Sequence, residues 1–154
     1  EYSFKDLVAQ GCVKRKGYID YLFDERIFRC ESSLLYFLEW YSSTPEKNAL
    51  FKAGYRFGKW LTSEYEELCD RKTFLNILGA FGCGDIAYRP TAGGTVIIFK
   101  GFPWFPLAMK PNVEFKLISG ILSGAFSNIL GVNVRFELIK KEERGTFNLY
   151  FSIV

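Results

Sequence analysis

At 154 residues the chain has the length of one domain built on a single core. Its formal charge of +3 is spread thinly, and the short basic clusters at Lys14, Arg15, Lys16 and at Lys140, Lys141 sit beside acids, which argues against a nucleic-acid binder. With no histidine there is no Ser-His-Asp or Cys-His nucleophile, no HExxH helix and no haem ligand of the globin type.

Residues 17–30, GYIDYLFDERIFRC, read as two short extended pieces around a DER turn, part of a less regular N-terminal extension over 1–30. Ser32 and Ser33 then offer a cap to a helix whose stripe is Leu34, Leu35, Phe37, Leu38 and Tyr41. Pro45 and Glu46 start a second helix expected to run to Leu68, with Leu50, Ala53, Phe57, Trp60, Leu61 and Leu68 inward. Gly54 and Gly58 lie one turn apart on it, and glycines inside a helix imply that something presses close to the backbone.

A third helix is predicted over 72–81, ending in Gly82 and Gly84. The period changes at Asp85, where DIAYRP, the turn TAGG and TVIIFK form a hairpin whose second strand is buried on both faces. GFPWFPLAMKPN holds three prolines and cannot be a regular element. Its Phe102, Trp104 and Phe105 must fold over the domain, a ligand or a partner.

Asn112 is the expected cap of a helix over 113–130, with Phe115, Ile118, Leu122, Ala125, Phe126 and Ile129 inward and Gly120 and Gly124 repeating the one-turn glycine spacing. VNVRFELI and TFNLYFSIV alternate as strands about a KKEERG turn, the second with Phe147, Leu149, Phe151 and Ile153 on one face. Two hairpins with helices before and between them give an α+β domain over 1–154, an antiparallel four-stranded sheet backed by helices.

The glycines of GAFGCGD at 79–85 end a helix where a phosphate loop would begin one, so a helix stop and turn account for them. Glu64, Glu66, Glu67, Glu142 and Glu143 fall where solvated faces and turns put acids. Cys12, Cys30, Cys69 and Cys83 form no Cys-x-x-Cys pair, so no metal and no cofactor is expected, and free thiols fit a cytoplasmic setting. The stretch 115–134 is broken by Gly, Ser and Asn, so no transmembrane segment is expected, while peripheral membrane contact stays open. Aromatic residues make up 18% of the chain, more than a core of this size needs, so some should line a cavity or an interface.

FKAGYRFGKWL at 51–61, LISGILSGAFSNILGVNVRFE at 117–137 and GTFNLYF at 145–151 together resemble the 4-vinyl reductase domain family. Their order is also similar to that of the related core subunits of the TRAPP vesicle-tethering complex. The resemblance implies a twisted antiparallel sheet backed by helices, a domain that binds a small hydrophobic molecule and, on the TRAPP side, a dimerising scaffold with an acyl-chain tunnel. Many bacterial and archaeal members carry cysteines where this chain has Phe115 and Leu149, so their thiol or metal site is not expected here. An acylated cysteine of one TRAPP relative makes Cys69 a candidate, although its spacing differs.

The expected function is therefore non-catalytic: an apolar small molecule or acyl chain held beside Gly54, Gly58, Gly120 and Gly124 and lined by Phe57, Trp104 and Phe126. The same glycines would equally serve to pack two helices tightly. The alternatives are a homodimeric or heteromeric scaffold without a ligand, as in a vesicle-tethering complex, and an enzyme of unknown type.

Overall fold

The computed structural model describes residues 44–83, 85–101, 113–144 and 146–154. The pieces read at 17–30, the helix expected from Leu34, the cap Asn112 and the loop bearing Phe102, Trp104 and Phe105 lie outside the described residues.

Helix α1, Thr44–Glu64, carries Pro45 and Glu46 in its first turn, where a missing N–H costs nothing and a negative charge suits the helix dipole. It stops four residues short of the expected end. Tyr65 is extended, and a separate 3-10 turn, Glu66–Leu68, drops Leu68 into the core. Trp60 and Tyr65 meet edge to face across this break, at 6.0 Å and 85°.

Asp70 begins α2, Arg71–Leu78, by accepting the backbone N–H of Thr73 at 2.9 Å and its hydroxyl at 3.1 Å. The N–H of Thr73 is the main reason the Asp70 carboxyl is held below its ordinary value. Phe74, Leu75, Ile77 and Leu78 are buried, and a π-turn at Gly79–Cys83 ends the helix, as the glycine-rich run predicts.

Strands β1, Asp85–Thr91, and β2, Gly94–Lys100, form the first hairpin. Helix α3, Lys116–Leu130, starts later than a cap at Asn112 would place it. Its N-cap is Phe115, with φ 52° and ψ 44° and no side-chain cap, and it closes on Gly131, whose φ of 69° is open to glycine. Strands β3, Phe136–Arg144, and β4, Thr146–Ile153, complete an antiparallel sheet of order β1-β2-β4-β3.

The residues expected to turn, Lys140 to Arg144, are strand instead. On an edge strand their charges find partners across the ladder and along it: Lys140 pairs with Tyr150, Glu142 accepts the Tyr150 hydroxyl at 2.8 Å, and on the same strand Lys140 reaches Glu142 at 3.3 Å. An extra residue between Leu138 and Lys140 bulges this strand at Ile139, which points into solvent at 57% exposure.

Ile97 and Phe99 on β2 pair with Phe151 and Leu149 on β4, and all four are buried. Ile98, on the opposite face, is buried too, so β2 is covered on both sides as its apolar run predicts. Among the described residues the buried side chains other than Ile98 include one large apolar cluster, which holds Phe74, Phe99, Phe126, Phe136 and Phe151.

Candidate functional site

The four glycines fall on one contact. A Cβ added to Gly54 would land on the carbonyl oxygen of Leu117, one on Gly58 on that of Ile121, one on Gly120 on that of Phe51, and one on Gly124 on that of Tyr55. Successive glycines of α1 meet successive turns of α3, so the two helices run parallel. Lys47 to Glu114 at 3.8 Å and Asn128 to Thr62 at 3.1 Å bracket the contact at either end. The space beside these glycines is taken by the opposite backbone, and of the two roles read from the sequence the geometry displays the helix-packing one.

That contact also turns α1 about its axis. Gly54, Gly58 and Leu61 are buried, so the stripe one residue earlier, Ala53, Phe57 and Trp60, faces out. The expected inward placing of those three is corrected accordingly: Phe57 is 39% and Trp60 42% exposed. Bulk cannot enter where backbones touch.

Phe126 lies at the other extreme, 1% exposed and enclosed by rings. It stacks on Tyr88 at 6.4 Å and meets Phe74 and Phe136 edge on at 6.4 and 5.2 Å. The Tyr88 hydroxyl is held by Arg71 at 2.9 Å and Thr95 at 3.2 Å. Phe57 is thus exposed and Phe126 buried, and Trp104 lies outside the described residues.

Between the glycines runs a second row that the sequence reading did not single out. Ser119, Ser123 and Ser127 repeat every four residues, so they share one face of α3, and all three are buried. Ser127 Oγ donates to the Val134 carbonyl at 3.2 Å and accepts the Val134 N–H at 2.9 Å. Ser123 Oγ accepts the Phe136 N–H at 2.8 Å and donates to the Ser119 carbonyl at 2.6 Å. The row continues to Ser119, whose hydroxyl is fully buried and makes no hydrogen bond. The motif SGILSG, with each serine directly before a packing glycine, is the signal that could have revealed the row.

Ser119 stands one turn into α3, next to its unusual start. Phe115 is buried in a left-handed conformation that costs a non-glycine residue about 1–3 kcal/mol. Lys141 Nζ lies 5.6 Å from the centre of the Phe115 ring, and Lys141 is the cross-strand partner of Leu149. Phe115 and Leu149 therefore come to one corner of the domain through Lys141. Both are fully apolar and neither can ligate a metal.

Cys83 is partly covered, and the loss of water around its thiol pushes it up to about 12. Cys69 is exposed just after the 3-10 turn. Among the described residues no group of His, Cys, Asp and Glu is placed to hold a metal ion, and no helix is long and apolar enough to cross a membrane.

No protein-family model matches the chain. No curated protein matches it either. Among solved structures it is similar to the crystal structure of a vinyl-4-reductase family protein from Methanocaldococcus jannaschii, with 18% identity over 92% of this chain and 82% of that one and a TM-score of 0.51. At that identity the likeness is one of fold. It agrees with the sheet-and-helix architecture that the first resemblance implied, and the vesicle-tethering side of that resemblance gains no support from it.

Proposed function

We propose that this chain is a non-catalytic domain that holds an apolar molecule with one polar end, of the acyl-chain kind, in the corner between the start of α3 and the β3–β4 hairpin. One observation carries the reading: the Ser119 hydroxyl is fully buried without a partner beside a largely apolar core, whereas the buried hydroxyls of Thr62, Ser123 and Ser127 are all hydrogen-bonded. A buried hydroxyl left unpaired costs about 1–3 kcal/mol, and a ligand's polar terminus would recover that cost while its body stays among apolar side chains.

Phe115 supports the same reading. Its left-handed backbone makes it the costliest part of the wall to hold in place, so it is where the corner opens most cheaply. Lys141, above the Phe115 ring, suits a terminus that carries a partial or full negative charge. The fold likeness to a vinyl-4-reductase family protein is consistent with a domain that holds a small molecule. Native mass spectrometry of the purified chain tests the proposal, with Ser119→Ala as the variant that removes the hydroxyl without adding bulk to the buried site.

A further inference from the structure

The outer side of α1 carries two chemically different stripes. Lys52, Arg56 and Lys59 follow one another at intervals of four and three residues and are all exposed, so they form a cationic line along the helix. Ala53, Phe57 and Trp60 follow at the same intervals one residue later, so an apolar line runs beside the first. Beyond it, Gly54, Gly58 and Leu61 make the third line, which is sealed against α3. The aromatic rings thus sit between the cations and the body of the protein, with the Phe57 and Trp60 centroids 6.0 Å apart.

Among the described residues Lys47, Lys116, Arg135 and Lys140 each reach a carboxylate within 4 Å, whereas Lys52, Arg56 and Lys59, like Lys72, Arg89 and Lys100, form no ion pair, and the first three lie together on one helix. The acids of α1, Glu46 and Glu64, lie in its first and last turns, which leaves the middle of the helix positive. Half-exposed rings beside unneutralised cations on a convex helix are the arrangement of a helix that rests on an anionic interface, where rings enter the headgroup boundary and basic side chains reach the phosphates.

We infer that the outer face of α1 docks the domain onto an anionic lipid bilayer. A second copy of the chain fits this face poorly. A two-fold pairing would set Arg56 and its flanking lysines against themselves, and the stripe contains no acid to answer them. A deformable charged surface needs no groove to receive it. The inference does not depend on whether the Ser119 corner holds a ligand.

The test is flotation of the whole chain with vesicles of phosphatidylcholine alone and of phosphatidylcholine with about 30% phosphatidylserine, with folding checked by circular dichroism. Binding to the anionic vesicles only is expected. Each basic residue near such a surface is worth about five-fold, so Lys52→Gln/Arg56→Gln/Lys59→Gln should weaken binding about 100-fold. Phe57→Ala/Trp60→Ala should weaken it about 10-fold or more. Equal binding to both vesicle types, no binding to either, or a triple variant that floats like the parent would overturn the inference. So would a stable dimer or a complex with an acidic protein that Trp60→Ala dissolves while vesicle binding persists.

Discussion

Ser123 Oγ accepts the Phe136 backbone N–H at 2.8 Å, so a side chain of α3 supplies the partner that the first residue of the edge strand β3 lacks. Ser127 does the same for Val134 just before the strand. The edge is therefore closed at its start by a helix, where an unpaired edge would otherwise invite another chain. The row stops with the unpaired hydroxyl of Ser119.

This difference within one row fixes two unlike outcomes. Ser123→Ala strips a buried N–H of its acceptor and should cost about 1–3 kcal/mol. Ser119→Ala removes a hydroxyl that bonds to nothing and should be neutral or slightly stabilising in ligand-free protein. Denaturant unfolding of the two variants measures both, and equal losses would contradict the assignment.

At the helix contact, Gly124→Ala brings a better helix former by about 1 kcal/mol but sets its Cβ on the Tyr55 carbonyl. Two backbones cannot both yield in a packed interior, so a net loss of about 1–3 kcal/mol is expected. Gly93→Ala, in open space at the hairpin turn, should stay within about 0.5 kcal/mol of the parent. Thermal unfolding midpoints of the pair decide whether the glycines are packing devices.

Thiol chemistry should separate the two described cysteines. At pH 8 a thiol at about 12 is ionised in about one molecule in ten thousand, so Cys83 should resist iodoacetamide in the native protein while exposed Cys69 reacts. Peptide mapping after a timed pulse gives the ratio, and rapid labelling of Cys83 would contradict the desolvation of its thiol.

Much of this architecture was legible because alternation and glycine spacing are local signals. TVIIFK, TFNLYFSIV and the inward residues Leu122, Ala125 and Phe126 fell where their periods put them. The stripe of α1 was misjudged because hydrophobicity points to Phe57 and Trp60, whereas close helix packing is decided by the absence of side chains at Gly54 and Gly58. The start of α3 was missed for a different reason. A left-handed Phe115 goes against local preference and is held by its surroundings, which no window of sequence displays. The KKEER run looks like a turn by composition and becomes strand through partners on β4. At the candidate corner, Phe115 and Leu149 were marked by resemblance. Ser119 and Lys141 reach it through tertiary pairing alone.

The most direct measurement is a native mass spectrum of the chain purified without detergent, recorded beside that of Ser119→Ala. The account predicts that the parent retains an apolar molecule bearing one polar terminus and that the variant retains at least ten-fold less of it. A bare parent, or a variant that keeps the same adduct in full, would contradict it.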